Sequence, residues 1–81
     1  MSSYTEYIVK ITSWNDDPDS SSFGESYDSE KTFTSGGMAR SHADFMSHAF
    51  NEAVRNGKKL HYTIQITTVE YSTEDYATGG N

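Results

Sequence analysis

Two alternating segments enclose one amphipathic stripe, and this arrangement limits what the chain can fold into more than any other feature. In residues 4–14, Tyr7, Val9 and Ile11 fall on one side and Glu6, Ile8, Lys10, Thr12 and Trp14 on the other. In residues 60–67, Leu60, Tyr62, Ile64 and Ile66 alternate in the same way with His61, Thr63, Gln65 and Thr67. A period of two marks strands with one packed face. Between them Ala39, Ala43, Met46, Phe50, Ala53 and Val54 recur at three- and four-residue steps, the stripe of a helix packed on one side. One such helix covers only one face of a small sheet.

The intervening residues supply the rest of the order. Residues 15–24 hold the only proline, Pro18, a serine run at Ser20, Ser21 and Ser22, and three aspartates. That composition favours turns and solvation, and an acidic, flexible loop is expected. Residues 25–34 read as a second strand anchored by Tyr27 and Phe33, polar enough to belong at a sheet edge. Gly36-Gly37 is expected to turn the chain as a hinge. Ser41, followed three residues later by Asp44, suggests a capping box and a regular helix that begins at Ser41 rather than Met38. Asn56-Gly57 provides a left-handed stop, with Arg55 suited to the negative end of the helix dipole. Residues 72–81 lose the alternation and end in Gly79-Gly80, so a frayed tail is expected.

The expected fold is α+β: a small three-stranded antiparallel-type sheet in the order ββαβ, with one helix packed on one face and a single domain over residues 1–81. A hairpin pairs the first two strands, and a right-handed crossover through the helix sets the third beside the first, in the order 2-1-3. A chain of 81 residues buries only about 60% of its unfolded surface, so its core is thin and leaves room for a partner subunit to complete it. The face away from the helix would carry Ile8, Trp14, Val69 and Tyr71, an apolar patch better covered by a partner or by a second copy.

Charge narrows the functional classes. The formal charge is −6, and residues 15–30 contain six acids (Asp16, Asp17, Asp19, Glu25, Asp28 and Glu30) and no base. Arg55, Lys58 and Lys59 form the one basic cluster. Direct nucleic-acid binding draws on a basic footprint, which this balance disfavours; a basic protein partner is favoured instead. No cysteine is present, which excludes disulfides and thiolate metal sites and suits a reducing compartment. No apolar run approaches the roughly 20 residues of a membrane span, and Met1-Ser2-Ser3-Tyr4 lacks the blocks of a signal peptide, so a cytoplasmic location is expected.

Catalytic and metal constellations are weak. Ser41, His42, Asp44, Ser47 and His48 are too close along one helix for the converging bonds of a hydrolytic triad, since neighbours point about 100° apart. His42 and His48 lie off the three- or four-residue ligand spacing, and His61 stands on a strand. Oxygens at Asp17, Asp19 and Ser21, with Asp28 in the twelfth place, imitate a calcium loop, but Ser22 stands where glycine is needed and Asp28 replaces the longer glutamate. Gly36-Gly37 near Arg40 lacks the spacing of a phosphate loop. Phe45, off the centre of the stripe beside Met38 and Ala49, either widens the core face or reaches past the sheet edge; packing is the commoner outcome. No enzyme activity, metal or cofactor is expected.

Recognition remains. Carboxylates spaced over a loop and a helix end can imitate a phosphate backbone, and Phe23, Tyr27, Tyr71 and Tyr76 suit the semi-polar core of a protein interface. In size, acidity, lack of cysteine and ββαβ order, the chain resembles the small inhibitors that bacteriophages encode against host defences, including anti-CRISPR and anti-restriction proteins. The resemblance is one of layout and transfers no individual residue. It implies a non-enzymatic inhibitor that blocks a basic, nucleic-acid-handling host protein or nucleoprotein complex. The expected partner-binding residues are Trp14, Asp16, Asp17, Asp19, Phe23, Glu25, Tyr27, Asp28, Glu30 and Tyr71. The alternative is a self-associating structural or assembly protein, possible as a homodimer, that uses its open sheet face or third-strand edge.

Overall fold

The computed structural model describes residues 3–72. Strands β1 (Ser3–Asn15) and β2 (Ser26–Phe33), helix α1 (Gly36–Arg55) and strand β3 (Leu60–Ser72) follow one another as ββαβ. β1 is central in a three-stranded sheet of order β2-β1-β3 and is antiparallel to both neighbours. The expected α+β layout is therefore the one found. Among the described residues, no helix is long and apolar enough to cross a membrane.

Register explains the core. Val9 lies opposite Lys31 on β2 and Ile66 on β3, and Ile11 opposite Ser29 and Ile64. Paired residues share a face, so these positions, with Tyr7 and Phe33, form the side that meets the helix. Val9, Ile11, Ala39 and Ala43 are its buried centre, with Tyr7, Phe33, Met46, Phe50 and Ile64 packed around them. The two alanines let the helix backbone approach the sheet closely. Phe50 stacks on Tyr62, whose hydroxyl lies 2.9 Å from Ser47 Oγ and donates to Asn51 Oδ1 at 2.9 Å.

The helix starts earlier than the capping-box spacing indicates. Ser35 is the N-cap, its Oγ accepting from the Met38 amide at 3.3 Å and its carbonyl from Ala39 at 3.0 Å. Gly36 and Gly37 therefore form the first turn rather than a hinge. First-turn amides have no partner within the helix, so glycine is tolerated there, and a Cβ on Gly36 would stand 3.3 Å from the Tyr7 ring. The stop is as expected: Gly57 has φ +103°, and the bonds Gly57 N–H to Val54 O and Lys58 N–H to Ala53 O complete a Schellman turn.

Two stripe positions depart from expectation. Val54, one turn beyond the Phe50–Tyr62 stack, is 45% exposed, and Phe45 is 68% exposed, as is Met38 at 60% on the same helix line. Phe45 thus reaches past the packed face rather than widening it. Ser72 closes β3 opposite Ser3; the tail expected from that point covers residues 73–81, which lie outside the described residues, as does Tyr76.

Candidate protein-binding surface

The hairpin between β1 and β2 gathers most of the acids. Asn15 closes it, donating its amide to Glu25 O at 2.9 Å and accepting from Gly24 at 2.8 Å. Gly24 has φ +83°, a conformation that glycine adopts without strain. Inside the hairpin, small polar side chains shape successive turns: Asn15 Oδ1 accepts from Asp17 N–H, Asp17 Oδ1 from Asp19 N–H, and Ser20 Oγ from Ser22 N–H. The Asp16 amide donates to Lys59 O at 2.9 Å, tying the hairpin to the entry of β3.

The six acids consequently differ in what they are free to do. Asp16 Oδ2 lies 2.7 Å from His61 Nδ1. Asp17 is half-buried and holds its own turn through Oδ1, which directs it to the loop backbone. Asp28 Oδ1 accepts from Thr12 Oγ1 at 2.8 Å. Asp19, Glu25 and Glu30 are exposed. No Lys or Arg nitrogen lies within 4.0 Å of any of the six; among the described residues the ion pairs are Arg55–Glu52 and His61–Asp16. Lys58 and Lys59 share with Asp17 and Tyr27 the rim of a cleft of about 420 Å³ without pairing to an acid.

The aromatic residues are spread more widely than the sequence suggests. Phe23 and Tyr27, 59% and 68% exposed, stand at the hairpin. Register places Tyr27 opposite Ser13 on the helix side of the sheet, while Asp28, Glu30 and Trp14 lie on the open side. Tyr71 is not brought to this surface. It lies opposite Tyr4, ten residues along β3 from the Trp14–His61 pair, about 33 Å at 3.3 Å per residue. There it stacks on Tyr4 with centroids 4.9 Å apart. The adjacent Glu6 carboxylate raises its phenol above the usual 10.

The open face carries Ile8, Trp14, Val69 and Tyr71 together, as the alternation implies. Stacking already covers one side of each terminal ring, and Ile8 and Val69 are half-buried between them. The patch is therefore less open than its residue types suggest. Two features escape sequence reasoning: the His61–Asp16 contact, which depends on β1–β3 register, and the exposed Met38–Phe45 line, which depends on where the helix crosses the sheet. Among the described residues no three His, Asp or Glu side chains assemble to hold a metal.

Comparison with protein-family models, with curated proteins and with solved structures finds no match to this chain.

Proposed function

We propose that this chain is a non-enzymatic inhibitor that binds a basic, nucleic-acid-handling protein, or a nucleoprotein complex, through the hairpin and the outer strand β2. The phage anti-CRISPR and anti-restriction inhibitors are the class it fits. The observation that supports this reading is that, among the described residues, none of the six acids between Asp16 and Glu30 forms an ion pair with Lys or Arg, even where Lys10 stands opposite Glu30 across the sheet. Exposed carboxylates at a hairpin tip, with Phe23 and Tyr27 beside them, combine long-range steering toward a positive groove with apolar anchors for the contact itself.

Asp19, Glu25 and Glu30 are the informative positions, because Asp16, Asp17 and Asp28 also serve the fold. Expression of the chain in bacteria that carry a CRISPR or restriction system should raise the plaque count of a targeted phage. The Asp19→Lys, Glu25→Lys, Glu30→Lys triple variant should lose that effect while remaining folded by circular dichroism. Full protection by the reversed variant, or no protection against either system, would remove the proposal.

A further inference from the structure

The two outer strands of the sheet are unlike each other. β2, eight residues long, carries Asp28, Glu30 and Lys31 and adjoins the acidic hairpin. Charge of this kind protects a free edge, and two copies meeting there would oppose like charges. β3 runs for thirteen residues and, among the described residues, pairs only with β1, so its other edge presents N–H and C=O groups that none of these residues pairs. From Tyr62 to Val69 it contains no charge, no proline and no glycine, and it is dominated by threonine, isoleucine and valine. Ile66, on the helix side, is 42% exposed.

The charges near the ends of β3 have opposite sign. Lys58 and Lys59 precede the strand, and Glu70 lies close to its far end. A second copy laid antiparallel brings each acidic end to the other's basic end, whereas a parallel copy opposes like with like.

We propose that two copies of this chain pair antiparallel along the free edges of β3, about a two-fold axis at Gln65, forming one six-stranded sheet. This register sets Ile64 against Ile66 of the second copy and Glu70 against Leu60, close to the basic Lys58-Lys59 end. Both helices lie on the same side, and the Gln65 side chains meet at the axis on the open side. The interface is isologous and therefore closes. The outer edges of the dimer are the two charged β2 strands, which stop further growth and leave both acidic hairpins free for the surface described above.

Because the chain lacks cysteine, a single introduced thiol reports on this geometry. Directly opposed residues have Cα atoms about 4.5–5.5 Å apart, within disulfide range. The Gln65→Cys variant should cross-link to a covalent dimer under mild oxidation. Thr67→Cys, whose copies lie about 13 Å apart in this register, should not, and neither should Ser29→Cys on β2. Sedimentation equilibrium of the unmodified chain should show a concentration-dependent dimer. Glu70→Lys, which puts a cation beside the other copy's basic end, should weaken it about five-fold. A monomer throughout the concentration range, or cross-linking at Thr67 or Ser29 as efficient as at Gln65, would overturn the proposal.

Discussion

The Trp14 indole lies flat against the His61 imidazole, with centroids 4.5 Å apart and planes 12° from parallel. The same imidazole reaches Asp16, two residues after Trp14 in the chain. One side chain of β3 thus holds the end of β1 and the start of the hairpin at once. Both contacts are largely solvent-facing, which limits their strength. His61→Ala should lower stability by about 1 kcal/mol, chiefly through the lost stack. Asp16→Ala combined with His61→Ala should show a coupling energy below about 1 kcal/mol. Urea titration followed by the fluorescence of Trp14, the only tryptophan, measures both. A coupling of several kcal/mol would mean that the pair is far less solvated than the structure has it.

The helix start makes a sharper test. The sequence spacing points to Ser41 as the cap, and the structure gives the role to Ser35. Removing an N-cap hydroxyl typically costs about 1 kcal/mol, so Ser35→Ala should lower the denaturation midpoint measurably. Ser41→Ala replaces an exposed residue in the second turn and should change stability by less than about 0.5 kcal/mol. The reverse order of effects would return the helix start to Ser41.

The helix start also shows what sequence reasoning reaches in this chain. Alternation fixes the faces of β1 and β3 because a period of two survives any register, and the Ala39–Ala43–Met46–Phe50 spacing identifies the packed side of the helix for the same local reason. Gly36-Gly37 reads as a break because the feature that accommodates it, the Tyr7 ring against Gly36, is a tertiary contact. Phe45 and Val54 carry the right residue type and spacing for a core, yet their burial depends on how far the helix axis lies over the sheet. At the candidate surface, the acidic run is plain in the sequence. The division of its carboxylates into those that shape the hairpin and those left free follows only from the Asx turns and from the pairing of β1 with both neighbours, and the distance of Tyr71 from the rest follows from β1–β3 register.

The core is small enough for single residues to matter. Ile11 is 3% exposed and packs beneath the helix, whereas Val54 is 45% exposed. Ile11→Ala should cost about 2–4 kcal/mol, a large share of the roughly 4–12 kcal/mol available to a chain of this length. Val54→Ala should cost less than about 0.5 kcal/mol, despite its place in the apolar pattern. Chemical denaturation with the slope held common across variants separates the two. A Val54→Ala loss as large as that of Ile11→Ala would show that the helix end packs more closely than the structure indicates.

At the far end of the open face, Tyr71 supplies a titration. The Glu6 carboxylate beside it opposes a second negative charge, so the phenol is raised above 10 in the folded chain. A folded value above the unfolded one means that the folded state keeps this proton more tightly. The resulting stabilisation is complete below pH 10 and is lost as the pH climbs through the folded value. Tyrosine ring-carbon chemical shifts, followed residue by residue, should place the Tyr71 midpoint above 10. Glu6→Gln removes the charge but retains a side chain of similar size, and should bring that midpoint back toward 10. A Tyr71 midpoint insensitive to Glu6→Gln would mean that the carboxylate does not face the ring, and that the Tyr4–Tyr71 end of the sheet is arranged differently.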